Sequence, residues 1–350
     1  MNNSLWQRAS LAWRVLLKGE GALKKLSEPK TEIPSLSSSE LEEIKHFFPA
    51  PKFFIFGHAR SGTTLLTRLV RLHPQVHCNY QAHFFTRPPL LTALVENPDV
   101  RSWLARRSNR WNRGGDLTTP LLRAAADFIL ERDLVKEGKQ IVGDKSPNSL
   151  LNGEAVRLMY RIYPDARLVF IVRDGRDAVL SHRFQQFIDA EQHLSNTDLR
   201  LRAEFMAEPK PFLSGERSIF TEKGMRQAAQ GWVKNVTETH QEGQQLYQEH
   251  YFALRYEDLL RDPFSTLCQL WGFLGADLSY PDLEERVRKE MQQNPDADWQ
   301  RQKAAQIVSP LEKGKKGSWR SLFTIRDKEI FKQAAGSLLI EWGYEKDLAW

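Results

Sequence analysis

The sequence predicts an α/β fold, a mostly parallel central sheet flanked by helices. Three observations lead there. Short runs rich in Phe, Ile and Val recur between amphipathic stretches of helical spacing. Those runs are near-continuously apolar, as in strands covered on both faces. Helical segments follow the runs one by one, the alternation that builds a parallel sheet. A chain of 350 residues has room for one large α/β domain with extensions, or for two domains. With 41% hydrophobic and 27% charged residues it can bury a sizeable core, which excludes global disorder. No run approaches the roughly 18 apolar residues of a membrane-spanning helix. The only cysteines, Cys78 and Cys268, exclude a disulfide scaffold and a Cys-rich zinc site. The net charge of +6 favours anionic partners without choosing among them.

In chain order, residues 1–48 form an N-terminal amphipathic helix and linker, and residues 49–350 form the main domain. Leu5, Trp6, Ala9, Ala12, Trp13, Leu16 and Leu17 share one helical face, with Gln7, Ser10, Arg14 and Lys18 opposite. Arg8 and Arg14 interrupt the stretch, so it does not read as a secretory signal. Residues 4–18 instead suit docking on the domain or a partner, or peripheral membrane contact. The stretch 27–51 is punctuated by Pro and Ser, and Ser39 with Glu42 suggests a capping box opening a short helix, Glu40–Phe47. Lys52–Phe56 is the first buried strand, followed by a Gly-containing turn and a helix over Thr63–Leu72. Ile141–Val142, Arg167–Val172 and Tyr251–Tyr256 are further strands, the last followed by a helix over Pro263–Leu274. Two stretches break the alternation, near 84–135 and 184–225. Both are long for connections in a compact core, so they are expected to be lids and substrate walls.

The segment from Phe54 to Leu66 holds the clearest chemistry. A strand runs into a loop bracketed by Gly57 and Gly62 and then into a helix, an arrangement whose amides and dipole bind anions. The glycine spacing is that of the Walker loop, but Thr63 stands where that loop has Lys, and Thr64 stands at the hydroxyl position. The Walker Lys contacts the β- and γ-phosphates of a triphosphate, so kinase or NTPase chemistry is disfavoured. Arg60, the hydroxyls of Ser61, Thr63 and Thr64, and backbone donors suit a single phosphate with a modest further anionic group, with no metal required.

The stretch Arg60-Ser61-Gly62-Thr63-Thr64-Leu65 resembles the 5′-phosphosulfate loop of sulfotransferases that use 3′-phosphoadenosine 5′-phosphosulfate (PAPS). Three more segments agree in order, so that the resemblance spans about residues 52–345. The run from Leu168 to Ser181 is similar to the family's 3′-phosphate segment, which implicates Arg173 and Ser181. Arg255–Leu259 resembles the strand whose Tyr, here Tyr256, lies near the adenine. The basic Gly loop with Lys313, Gly314, Lys315 and Lys316 is similar to the loop that closes over the 3′-phosphate. The resemblance implies a P-loop-like sulfotransferase fold, with PAPS as co-substrate, PAP as product and no metal. A donor with a separate 3′-phosphate needs a second cationic site, and a guanidinium such as that of Arg173 matches phosphate oxygens. Asp174, Arg176 and Asp177 are expected to order the turn rather than touch ligand.

Sulfuryl transfer needs cations at the donor oxygens and a base at the acceptor. Arg60 is one candidate cation. Lys145 is the other, because Val142–Pro147 resembles the segment of the family's transition-state lysine. Many members carry a Glu about where Gln81 stands, and Gln cannot deprotonate. His83, two residues on, shares its face if the segment is extended, and an imidazole titrates near neutrality. The catalytic expectation is therefore His83, Arg60 and Lys145, with Asp144 and His58 as alternative bases. The alternative functions are a noncatalytic nucleotide- or polyanion-binding member and a P-loop kinase. Arg106, Arg107, Arg110 and Arg113 with Trp103 and Trp111 suit an anionic or glycan-like acceptor, or simply a solvated basic helix. Small-molecule, glycan, lipid and peptide acceptors stay open, as does the oligomeric state. No nucleic acid is expected, and the expected location is cytoplasmic or membrane-peripheral.

Overall fold

The computed structural model describes residues 32–86, 89–147, 152–293 and 317–350. Packing divides the chain into Met1–Pro34 and Ser35–Trp350, and the second unit holds the sheet and its helices. Residues 4–18 and the loop Lys313–Lys316 lie outside the described residues.

Helix α1 (Ser38–Phe47) opens this unit. Its capping box is Ser37 with Glu40, not Ser39 with Glu42: Glu40 N donates to Ser37 Oγ, and Ser37 N donates to Glu40 Oε2 at 2.8 Å. The helix starts earlier than expected because the cap is Ser37, two residues ahead of Ser39.

Five strands form one sheet in the order β2-β3-β1-β4-β5. They are β1 (Lys52–Gly57), β2 (Val76–Tyr80), β3 (Ile141–Lys145), β4 (Arg167–Val172) and β5 (Tyr251–Arg255), and every pairing is parallel. The sheet is thus the parallel one that the alternation predicts. The register sets Phe54 beside Leu168 and Asp144, and Tyr80 beside Lys145. Every residue of β1 is buried, which explains its unbroken apolar reading. Phe53 and Ile55 face a core shared with Leu66, Leu69, Val169, Ile171, Leu267 and Trp271. Phe54 faces the other layer, its ring edge-on to Phe85 and Tyr163. Strand β2 was not expected as a strand. Only Val76 and Cys78 are apolar and buried, so it reads as a short alternation at the sheet edge instead of a run.

Helix α2 (Thr63–Val70) follows β1. Helices α3 (Pro98–Ala105) and α4 (Thr118–Glu137) lie between β2 and β3. Because those strands are parallel neighbours, α4 runs from the carboxyl edge of the sheet to the amino edge. There Lys139 Nζ, just past its end, meets Val76 O at 2.9 Å. The stretch 84–135 is therefore not all insertion. Leu122, Ala126, Leu130 and Leu134 of α4 are buried against the sheet layer, a crossover helix whose periodicity is blurred because Arg123, Asp127 and Glu131 are buried while Phe128, Ile129 and Val135 are exposed. Helix α5 (Gly153–Ile162) leads to β4, and α6 (Gly175–Asp189) leaves it. The stretch 184–225 is largely helical. It takes the end of α6 and then α7 (Asn196–Ala207), whose buried Phe205 meets Phe184, Phe187 and Phe212. Helix α8 (Glu222–Tyr247) precedes β5, and α9 (Tyr256–Arg261) and α10 (Pro263–Leu274) follow it. Among the described residues no helix is long and apolar enough to cross a membrane.

Candidate active site

The loop leaving the central strand β1 sits mid-sheet at the carboxyl edge, where open parallel sheets bind ligands. Ser61 N donates to His58 O at 3.1 Å, making the turn. Arg60 and Gly62 are both left-handed, with φ of 72° and 85°. Gly62 admits no side chain: a Cβ there would lie 2.1 Å from the Tyr256 ring. The first-turn amides of α2 have no side-chain cap. Thr64 is exposed beside them. Ser61 is fully buried, and its Oγ has no hydrogen-bond partner among the described residues. His58 is buried with its Nδ1 2.8 Å from Ala59 O. Burial lowers its imidazole to about 4, which keeps it neutral near pH 7.

Four of the residues singled out in the sequence meet at one side of this loop. Arg173, at the end of β4, donates from Nη1 to Arg60 O at 3.0 Å, and its guanidinium lies 5.0 Å from the centre of the Tyr256 ring. Arg60 Nε donates to Ser181 Oγ on α6 at 3.2 Å. Tyr256 is buried and opens α9 instead of ending β5, so its ring supports the loop from beneath.

The sequence missed what anchors the chain beside this cluster. Gly317 N donates to Asp177 Oδ2 at 2.5 Å and Trp319 N to Asp177 Oδ1 at 3.2 Å. Asp174 caps α6 and binds Arg176, whose guanidinium stacks on Trp319 and Trp350. Asp174, Arg176 and Asp177 thus order the turn, as expected. An acid in the first turn of α6, four residues past Arg173, was the one available signal for the anchor.

The other side of the loop is built by β3. Lys145 is buried and donates from Nζ to Thr64 Oγ1 at 3.4 Å, with the Tyr80 ring centre 5.3 Å away. Burial lowers the pKa of its ammonium. Three consecutive amides of the neighbouring turn are held by three consecutive residues of this strand end. Gln81 N donates to Lys145 O at 2.7 Å, Ala82 N to Asp144 Oδ1 at 3.0 Å, and His83 N to Ser146 Oγ at 2.9 Å. Ser146 Oγ in turn donates to Asp144 Oδ2 at 2.5 Å.

This corrects the premise that Gln81 and His83 share the face of an extended segment. β2 ends at Tyr80, and both residues are left-handed, with φ of 58° and 52°. It also changes the reading of Asp144. Burial pushes its carboxyl up to about 6 against the hydrogen bonds that both its oxygens accept, and it serves as the clamp of the turn. The His83 ring sits with Nδ1 2.9 Å from Thr86 Oγ1. If that nitrogen carries the proton given to Thr86, the basic lone pair is on Nε2.

A model of the sulfotransferase family matches residues 51–282, about two thirds of the chain. The chain belongs to the sulfotransferase family. It is 26% identical over 159 residues to protein-tyrosine sulfotransferase 2 of Gallus gallus, covering 45% of this chain and 40% of that protein. It is 25% identical over 228 residues to the protein-tyrosine sulfotransferase of Drosophila melanogaster, covering 64% of this chain and 38% of that protein. The match thus spans well under half the length of these curated relatives. Among solved structures, the mouse sulfotransferase SULT7A1 complexed with PAP is 17% identical with a TM-score of 0.44, covering 88% of this chain and 94% of that one. A sulfotransferase from Alicyclobacillus acidocaldarius is 22% identical with a TM-score of 0.37, covering 69% and 89%. Among the described residues, no group of three or more His, Cys, Asp or Glu side chains is placed to hold a metal.

Proposed function

We propose that this chain transfers a sulfuryl group from PAPS to an acceptor hydroxyl or amine and releases PAP. The observation that carries the reading is the loop between β1 and α2. It has helix-start amides, a buried Ser61 hydroxyl without a hydrogen-bond partner among the described residues, and Arg60, Arg173 and Ser181 gathered at one flank. An anion's oxygens suit the amides and Ser61 Oγ, and a second phosphate suits the Arg173 side. A kinase reading lacks its lysine, since Thr63 occupies that position.

In the transfer, the bond from sulfur to the donor's bridging oxygen breaks as the bond to the acceptor oxygen or nitrogen forms, and the acceptor proton goes to a base. Arg60 and Lys145 stand on opposite sides of the loop, where charge develops on the transferred group and the leaving phosphate. Lys145 is held in place by Thr64 and by the sheet, so it needs little reorganisation. His83 Nε2 is the proposed base, with Thr86 fixing the ring. A tyrosyl hydroxyl is the first acceptor to test, because the matched relatives are named protein-tyrosine sulfotransferases. A phenol of pKa near 10 also asks less of a base than an alcohol does.

The test has two arms. PAP should raise the melting temperature far more than ATP with Mg²⁺, following RT ln(1 + [L]/Kd). Labelled PAPS should then pass its label to a tyrosine-containing peptide. Equal stabilisation by ATP would overturn the donor assignment. Donor binding without transfer to any hydroxyl or amine in a screen would overturn the enzymatic one.

A further inference from the structure

The sulfotransferase site leaves unused a constructed loop between α3 and α4. Asn112 is buried and ties it together: its Nδ2 donates to Leu104 O at 3.0 Å and to Gly115 O at 2.9 Å, and its Oδ1 accepts from Gly114 N at 3.0 Å. Asn109 Nδ2 adds a bond to Trp103 O at 2.8 Å. On this frame Trp103 and Trp111 stack with ring centres 4.5 Å apart, yet they remain 54% and 49% exposed. Around them Arg106, Arg107, Arg110 and Arg113 are all exposed, and none forms an ion pair among the described residues. Elsewhere most arginines are paired: Arg68, Arg71, Arg157, Arg217 and Arg286 each meet a carboxylate. The apolar exposure continues in Leu90 and Leu94, in and beside the 3₁₀ turn Thr92–Val95 on which α3 packs, and in Leu121 at the start of α4. Because α4 descends from the carboxyl edge of the sheet, this loop stands at the same edge as the phosphate loop.

Indoles and leucines fringed by unpaired guanidinium groups are the composition of a surface that rests in a lipid headgroup layer. A soluble polyanion would use the arginines and leave the apolar side chains wet. A second copy of this chain meeting through the same patch would set like charges against each other. We propose that this tryptophan–arginine loop docks the protein on an anionic membrane surface, with the carboxyl edge of the sheet turned toward it. The loop lies in residues 103–113 and is distinct in sequence from residues 4–18.

Co-sedimentation of the full chain with phosphatidylcholine vesicles, with and without 30% phosphatidylserine, tests this. Binding should require the anionic lipid and weaken sharply at 0.5 M salt, where charges are screened within a few ångströms. Each guanidinium near the surface is worth roughly fivefold, so a variant carrying Arg106→Ser, Arg107→Ser and Arg110→Ser should bind about a hundredfold more weakly. A variant with Trp103→Ser and Trp111→Ser should lose quenching by brominated acyl chains as well as affinity. All five positions are exposed, so circular dichroism and melting temperature should match the parent. Three results would overturn the proposal: unchanged partition of both variants, equal binding to neutral vesicles, or loss of binding only in the arginine variant with equal capture by polyaspartate. The last would assign the loop to a soluble polyanion.

Discussion

The turns that leave β1 and β2 lie on either side of Lys145, and they solve one problem in opposite ways. Each must place backbone amides at the carboxyl edge of the sheet, and each uses left-handed residues to do it. The β1 loop is partly local, although its other left-handed residue, Arg60, has its carbonyl held by Arg173. Gly62 takes one left-handed position at no steric cost, and a helix dipole follows directly. The β2 turn has no glycine. Gln81 and His83 are held left-handed by the carbonyl of Lys145 and the side chains of Asp144 and Ser146, some 60 residues away. In the β1 loop a glycine and a helix start supply part of the shape locally, and Arg173 and Tyr256 complete it. A turn built from tertiary contacts can carry other side chains, here a histidine, where geometry would ask for glycine.

The largest effect expected from breaking this contrast is on turnover. His83→Ala should cut kcat by about 10²–10⁴, the usual contribution of a general base, and leave donor affinity unchanged. Steady-state kinetics with a PAP competition assay would show it; full turnover would leave the β2 turn without a catalytic role.

Next comes Gly62→Ala. A left-handed non-glycine costs about 1–2 kcal/mol and the displaced Tyr256 ring about 1–3 more, so urea unfolding should report a loss of roughly 2–5 kcal/mol.

The two turns also respond oppositely to pH. His58 is lowered to about 4 when folded, so the unfolded chain takes up its proton first, and stability falls as pH drops from about 6.5 toward 4. Asp144 is raised to about 6, so its folded form holds the proton more tightly, and stability falls as pH rises from about 4 through 6. Each contribution is on the order of 3 kcal/mol, and between pH 4 and 6 they offset each other. Relative to the parent, His58→Asn should make stability fall more with rising pH in that window. Asp144→Asn should make it rise more. Identical pH profiles in the parent and both variants would refute these burial assignments.

The smallest effect sharpens the comparison. Gln81→Gly relieves the left-handed strain but frees the unfolded chain, so its stability should change by less than about 1 kcal/mol. A loss as large as that of Gly62→Ala would mean the Gln81 side chain itself holds the turn.

Much of this was legible in consecutive residues. The runs Lys52–Phe56 and Arg167–Val172 are strands because both faces are covered. Helix α10 begins at Pro263 and ends at Leu274 as its N-terminal proline and following glycine indicate. The phosphate loop announced itself through its glycine spacing. Strand β2 stayed hidden because an edge strand with two buried apolar residues gives too little periodicity to count. The crossover helix α4 was hidden because charged residues such as Arg123 and Asp127 are buried on it while Phe128, Ile129 and Val135 are exposed, which erases the apolar periodicity.

The sequence by itself determined the α/β class, the anion loop at Gly57–Gly62 and the residue types available for chemistry beside it. Backbone propensity and apolar periodicity act over a few neighbouring residues, so a single segment can express them. Only the tertiary structure decided that Tyr256 packs beneath Gly62, that Asp177 receives the amides of Gly317 and Trp319, and that Asp144 clamps the turn of His83. Each of those contacts joins residues about 60 or more positions apart, and their geometry exists only once the strands have paired and the burial of the sheet has fixed which face each side chain takes.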